Sequence, residues 1–220
     1  MGTNSRALLA LGTLVLIPTT VMADANNRWY ATANVGVGFL DDSTLSFTNG
    51  PDNSTAGASY EASFAGGGTL GYRFAGGWSL EAEIAYRRND LEAIAVPDLG
   101  EFSGGDFASL AFGMNALYRF SFGNSGKWSG YIGPGVVYIQ EIDIDFDANG
   151  QQEISFESDD TALQLKFGSR YDFSDRWFAE AGATYLAASG VTMTLPADPA
   201  QIIESDYRHW TISAGFGVRF

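Results

Sequence analysis

Three features of the 220-residue sequence predict an all-β fold, an eight-stranded antiparallel up-and-down transmembrane β-barrel. Apolar and polar residues alternate with period two, as in a strand whose side chains point to opposite faces. Short and long connections alternate between these segments. No later stretch has the ~18 apolar residues that a transmembrane helix requires. A chain of this kind that crosses a membrane crosses it with strands.

The N-terminal segment predicts a cleaved secretory signal peptide at residues 1–23. Arg6 precedes an apolar run at residues 7–17, which Pro18 ends, and the small residue Ala23 follows at a cleavage site. The apolar run is too short to span a bilayer, which needs about 20 residues. Residues 24–220 are therefore the predicted outer-membrane β-barrel domain.

Residues 78–86 show the alternation most clearly. One face carries Trp78, Leu80, Ala82, Ile84 and Tyr86, while the residues between them are mostly polar. The same pattern predicts eight strands, at residues 28–40, 60–74, 78–89, 106–122, 128–142, 161–173, 176–188 and 207–220. Each is long enough for a tilted strand to cross a bilayer, which takes about 9–11 residues.

The connections predict which end of the barrel faces outward. Residues 75–77, 123–127 and 174–175 form short turns, whereas residues 41–59, 90–106, 141–160 and 190–206 form long loops. Tight periplasmic turns and extended external loops are typical of outer-membrane barrels. The four loops hold 19 of the 26 acidic residues and no Lys or Arg. The negative charge is therefore predicted to lie at the outer rim.

Composition excludes several functions. The formal net charge of −14 argues against a nucleic-acid-binding protein, because such a protein needs clustered Lys and Arg to neutralise the phosphates. The absence of cysteine excludes thiolate catalysis, disulfides and thiolate metal sites. We expect no cofactor.

Alternation alone does not say which face points inward, since a soluble barrel places its apolar face inside. Aromatic residues at the strand ends favour an apolar face in lipid, because they form the interfacial girdles of a membrane barrel. They are Trp29, Tyr72, Phe74, Trp78, Tyr86, Tyr138, Tyr171, Trp177, Tyr185, Trp210 and Phe220. The polar face, rich in Gly, Ser, Thr and single charges, fits a narrow filled interior.

The last strand, residues 207–220, ends in Phe220 after alternating apolar residues, and resembles the C-terminal targeting strand of Gram-negative outer-membrane proteins. Residues 131–138 and 68–74 resemble the OmpA/OmpX-like and opacity-type surface antigen barrels. This resemblance implies an outer-membrane location among lipid and lipopolysaccharide, and recognition by the barrel-assembly machinery through the strand ending at Phe220. It also implies a surface or envelope role, and we expect a monomer.

The inward face is predicted to carry an ion-pair network of six acids and six bases, because buried charges are costly unless paired. Its members are Glu61, Arg73, Glu81, Glu83, Arg87, Arg119, Glu141, Lys166, Arg170, Asp172, Glu180 and Arg219. Glu81 and Glu83 alternatively suggest an acid–base pair. The simpler interpretation is that Glu81 and Glu83 form ion pairs with Arg87, Arg119 or Lys166.

Two further motifs suggest weaker hypotheses. His209, with Thr211 and Ser213, resembles the His-x-Ser motif of lipid A deacylases, but Thr211 replaces the serine and the side chains point inward. Asp145, Asp147, Asn149 and Glu153 resemble half of an EF-hand loop and are weak Ca²⁺ candidates. Asn149-Gly150 also signals a simple hairpin turn.

The sequence therefore predicts a non-catalytic barrel with a structural, envelope-integrity or adhesin-like role through acidic external loops. A lipid A-modifying enzyme of the deacylase type and a small channel are the alternatives.

Overall fold

The computed structural model describes residues 28–49, 52–96, 100–102, 106–122, 126–148, 151–195 and 198–220. These residues are almost wholly strand, with one 3-10 turn at Ala75–Gly77. The strands are β1 (Trp29–Leu40), β2 (Ser43–Asn49), β3 (Asp52–Tyr60), β4 (Ser63–Arg73), β5 (Trp78–Val96), β6 (Gly100–Phe102), β7 (Asp106–Phe122), β8 (Trp128–Ala148), β9 (Gln151–Asp172), β10 (Trp177–Leu195) and β11 (Asp198–Arg219). Within the described ranges, no helix is long and apolar enough to cross a membrane.

Eight strands close into an antiparallel ring. Its order is β1, β4, β5, β7, β8, β9, β10 and β11, and β11 pairs back with β1 along residues 209–219. Closure pairs the backbone groups of every ring strand on both sides, which removes sheet edges within lipid. The ring confirms the predicted eight-stranded up-and-down barrel.

The apolar face of the barrel points outward. Val35 and Leu163 are 63% and 69% exposed, whereas Glu81 and Arg170 in the lumen are 3% and 1% exposed. Outward aromatic residues gather at two heights, as interfacial girdles do. Trp29, Phe74, Trp78, Phe122, Trp128, Phe173 and Trp177 lie at the turn end, and Phe39, Tyr86, Tyr138 and Trp210 lie toward the other end. The soluble-barrel alternative requires the opposite arrangement and is wrong.

The four segments predicted to be loops are mostly strand in the described residues, which corrects the predicted ends of the strands, and their external position stays a prediction. β5, β8, β9, β10 and β11 continue to lengths of 19 to 22 residues, about twice what a bilayer needs. β2 and β3 form a hairpin inserted between outer parts of β11 and β5, pairing residues 46–49 with 201–204 and 57–60 with 91–95. The wall of the barrel therefore continues beyond the outer girdle, and we call this part the outer extension.

A β-bulge in β10 keeps apolar residues inside the outer extension. Leu186 and Ala188 point inward below it, and Val191 and Met193 point inward above it. The register shifts between residues 188 and 191, where Gly190 adopts φ +66°. A bulge adds one residue and so exchanges the inward and outward faces. Glycine adopts this backbone conformation without steric cost.

Because the chain has no cysteine, single-cysteine labelling can establish which end of the barrel faces outward. Asp41 lies between β1 and β2 at the outer end, and Ala75 lies in the 3-10 turn at the other end, and both are exposed. We expect a large, membrane-impermeant maleimide to modify Asp41→Cys on intact cells and Ala75→Cys only after permeabilisation. Labelling of Ala75→Cys alone on intact cells would invert the orientation.

Candidate functional site

The middle of the lumen holds a compact cluster of charges. Lys166 Nζ lies 2.6 Å from Glu83 Oε2 and 3.3 Å from Glu81 Oε2, and these side chains are 12%, 9% and 4% exposed. Arg87 Nη2 is 3.9 Å from Glu83 Oε1, and Tyr30 Oη donates to Glu81 Oε1 at 2.5 Å. Glu83 thus has two cationic partners, and Glu81 has one cationic partner and one neutral hydroxyl donor. Buried charges require such partners.

Amides extend this cluster across the lumen. Asn115 Nδ2 donates to Glu83 Oε2 at 3.0 Å, and Gln164 Nε2 donates to Asn115 Oδ1 at 2.5 Å. Toward the outer end, Asn89 Nδ2 donates to the Gly38 carbonyl, and Asn89 Oδ1 lies 3.0 Å from His209 Nε2. These contacts join β1, β5, β7, β9 and β11, and so tie distant parts of the ring together.

On the turn side of the charge cluster lies a layer of arginine and aromatic rings. The Arg170 guanidinium carbon lies 3.7 Å from the centroid of Phe178 and 4.8 Å from that of Tyr30. Arg170 also donates to Glu180 Oε2 from Nε at 3.1 Å and from Nη2 at 2.7 Å. Arg219 lies 4.9 Å from Phe178 and is paired with Asp172. Cation–π contacts of this kind gain strength when they are desolvated.

The interior of the outer extension is apolar. One cluster of buried residues fills it, and Leu45, Ile139, Leu186, Met193 and Ile203 are each 0% exposed. Its other members are Leu40, Ala56, Ala58, Tyr60, Phe107, Ala111, Val137, Ala162, Ala188, Val191 and Tyr207, with Phe47 packed against it. The outer extension is thus held by a packed core of its own.

Several exposed acids lie together on the outer extension. Asp41, Asp42, Glu204 and Asp206 line a groove of about 420 Å³ together with Arg208, which pairs with Asp206 at 2.8 Å. We call it the acidic groove.

Burial changes the acidity of two groups in the outer extension. Burial raises the pKa of the Tyr60 hydroxyl to about 12. The pKa of Asp106 is raised chiefly by burial, although Arg88 at 2.9 Å opposes the shift.

Residues 7–220 match the family model described as the outer membrane protein beta-barrel domain. The chain belongs to this family. OprG, an outer membrane protein from Pseudomonas aeruginosa, has a TM-score of 0.63 and 20% identity over 88% of this chain and 96% of that chain. Neisserial surface protein A (NspA) has a TM-score of 0.50 and 18% identity over 87% and 97%. No curated protein sequence matches the chain.

As a member of the outer membrane β-barrel family, the protein lies in the bacterial outer membrane. Its structural neighbours are OmpA/OmpX-like barrels, as the sequence resemblance implied. At these identities the similarity shows the fold alone.

The structure places ten of the twelve predicted luminal charges along the lumen, in a central cluster, in two ion pairs and at the mouth on the turn side. Glu81, Glu83, Arg87 and Lys166 form the central cluster, and two further pairs join Arg170 with Glu180 and Arg219 with Asp172. Arg73 and Arg119 lie at the mouth of the lumen on the turn side.

The structure does not place the other two predicted luminal residues, Glu61 and Glu141, in the lumen. Glu61 is a correction: it lies in the connection between β3 and β4, and its side chain is exposed, so the strand alternation does not extend to it. The Glu141 side chain lies outside the described residues, and the β8 register shifts between residues 139 and 142. Alternation therefore gives no orientation for Glu141.

The histidine motif lies in the lumen, and the side chains of the Ca²⁺ candidates lie outside the described residues. His209 is buried on the luminal side, with its Nδ1 3.3 Å from Thr211 Oγ1 and its ring stacked on Tyr207. The Ca²⁺ candidates Asp145, Asp147 and Glu153 lie in the paired strands β8 and β9, and their side chains, like Asn149, fall outside the described residues. Among the described side chains, no group of three or more His, Asp or Glu is placed to hold a metal.

Sequence reasoning missed the aromatic and amide members of the lumen. Tyr30, Phe178, Asn115 and Gln164 occupy inward positions on their strands, so the same alternation contained the signal. The predicted network contains only charged residues. The apolar core of the outer extension was missed as well, although Val137 and Ile139 occupy inward positions within the predicted strand 128–142.

Proposed function

We propose that the protein is a non-catalytic outer-membrane barrel that acts through its acidic outer surface, in envelope integrity or surface interaction. The outer extension is the observation that supports this proposal. A wall of paired strands closed around an apolar core presents Asp41, Asp42, Glu204 and Asp206 in a fixed arrangement beyond the outer girdle. A rigid, charged surface suits contact with other envelope components, whereas catalysis requires a reactive pocket.

The partner that the chemistry favours is lipopolysaccharide. Its phosphate groups and the acidic outer surface repel each other unless cations intervene. Ca²⁺ and Mg²⁺ bind carboxylate and phosphate oxygens, and so bridge two anionic surfaces. Bridging needs no single tight metal site in the protein.

Binding to immobilised lipopolysaccharide tests this proposal. We expect the purified protein to bind in the presence of Ca²⁺ and to be released by a chelator. The variant Asp41→Asn/Asp42→Asn/Glu204→Gln/Asp206→Asn should bind substantially less, because the bridging carboxylates are gone. Glu61→Gln, which removes an exposed carboxylate outside the acidic groove, should bind as the unaltered protein does. Binding that neither the chelator nor the fourfold variant reduces would contradict the proposal.

The same preparation distinguishes the two alternatives. Mass analysis of lipopolysaccharide after incubation should show no change, whereas loss of an acyl chain would support a lipid A-modifying enzyme. Planar bilayers should show no conductance comparable to that of a porin. The reason is that Arg170, Asn115 and Ile139, at three successive heights of the lumen, are at most 1% exposed.

The biogenesis we propose follows from the two ends of the chain. Residues 1–23 are removed after export, and the barrel-assembly machinery recognises β11 together with Phe220, which follows it. The Phe220 amide donates to the Trp29 carbonyl at 2.9 Å, so the chain end also seals the ring. The closed ring has no free edge in the span, which favours a monomer.

A further inference from the structure

The lumen opens at the turn end into a wide basic cavity, which we call the periplasmic basin. It has a volume of about 1080 Å³. Among the described residues, five cationic side chains line it, and only Asp172 and Asp175 supply carboxylates. The cations are Arg28, Arg73, Arg119, Lys127 and Arg219. The sign of its charge is therefore opposite to that of the chain as a whole, which is −14.

Among the described residues that line the basin, cationic side chains outnumber carboxylates. Asp172 pairs with Arg219, and the Asp175 backbone carbonyl accepts a hydrogen bond from Arg219 Nη1 at 3.3 Å. Like charges crowded in one concave site of low dielectric repel each other and attract an anion.

Arg119 is the residue that points most clearly to a ligand. Its guanidinium carbon lies 5.6 Å from the centroid of the luminal Tyr30 ring, and the side chain also lines the basin. Its Nε, Nη1 and Nη2 atoms are buried and have no hydrogen-bond partner among the described residues. Two more such atoms belong to basin residues, Arg219 Nε and Ser79 Oγ. Buried donors without acceptors are costly, and the described residues supply no acceptor oxygen to these atoms of the basin.

We propose that the periplasmic basin binds a multiply charged oxyanion of the phosphate type. A phosphate group offers several acceptor oxygens, which match the converging donors of Arg119 and its neighbours, whereas one carboxylate satisfies one guanidinium fork. The ligand is either a soluble periplasmic phosphate compound or the headgroup of an inner-leaflet phospholipid. The exposed aromatic residues Phe74, Trp78 and Phe173 rim the basin and bring it to the headgroup level of that leaflet.

Calorimetric titration of inorganic pyrophosphate tests this site. The protein is placed in nanodiscs of phosphatidylcholine at about 0.15 M salt, where diffuse surface attraction is screened within about 8 Å. We expect saturable heat. Arg119→Gln should weaken binding at least about tenfold, because it removes a charge and its charge-assisted hydrogen bonds.

Arg176→Gln is the matched control, since Arg176 lies in the turn at the same end but does not line the basin. It should leave pyrophosphate binding unchanged. If Arg119→Gln does not fold, Arg73→Gln replaces it, with folding checked by circular dichroism. Absence of saturable heat, or equal weakening by Arg176→Gln and the basin variant, overturns the proposal.

Nanodiscs containing phosphatidylglycerol identify the source of the anion. If the phospholipid headgroup occupies the basin, phosphatidylglycerol should suppress pyrophosphate binding to the unaltered protein. If the ligand is a soluble phosphate compound, the titration should be the same in both lipids. Either result supports a phosphate site and assigns its ligand.

Discussion

Lys166→Met is expected to lower the free energy of unfolding by about 3–5 kcal/mol, the cost of leaving buried charges without their partner. Lys166 is the cation closest to both Glu81 and Glu83. Without it, Glu83 keeps only Arg87 at 3.9 Å as a cationic partner, and Glu81 keeps the Tyr30 hydroxyl. Methionine fills a similar volume, so the loss reports charge rather than a cavity. Denaturant unfolding in detergent measures it.

Two variants show whether that loss arises from the unpaired carboxylates. Lys127→Met makes the same exchange at an exposed position and should change stability by less than about 0.5 kcal/mol. Lys166→Met/Glu83→Gln removes one of the two stranded charges, and should recover part of the loss. A cost below about 1 kcal/mol for Lys166→Met would mean that water screens the cluster, as at a solvated ion pair.

The part of the fold that the sequence predicts well is the part where strands are regular. Within the span, alternation places Glu81, Glu83 and Lys166 on the inner face, because neither β5 nor β9 changes register there. Prediction fails at Glu61, which follows the end of β3, and alternation gives no orientation for Glu141, which lies where β8 shifts register. A one-residue shift in register exchanges the inward and outward faces of a strand, and no local sequence pattern predicts where it occurs.

The outer extension depends on contacts that lie far apart in the sequence. The sequence of β2 and β3 has the polar pattern of a loop. These strands form part of the barrel wall because they pair with β11 and β5. The contact of His209 with Asn89 joins residues 120 positions apart. Closure of the whole ring determines which residues pair at such separations. The sequence of a single segment therefore does not predict these partners.

Ile203→Ala is expected to lower the free energy of unfolding of the outer extension by about 2–5 kcal/mol, the range for a large-to-small change in a packed core. Ile203 is 0% exposed, and its backbone pairs with Phe47 of β2 and Met193 of β10. The cavity would therefore lie where the β2–β3 hairpin joins the barrel. Local opening is the expected consequence, since this end lacks the support of lipid.

Ile212→Ala is the control for that variant, because it makes the same change on the same strand at a lipid-facing position 60% exposed. Limited proteolysis of the protein in vesicles provides the readout. Ile203→Ala should be cut faster within residues 41–60, while residues 209–220, paired with β1 in the span, stay protected. Ile212→Ala should be cut no faster than the unaltered protein. Equal protection of residues 41–60 in both variants would mean that the apolar core does not hold the hairpin in place.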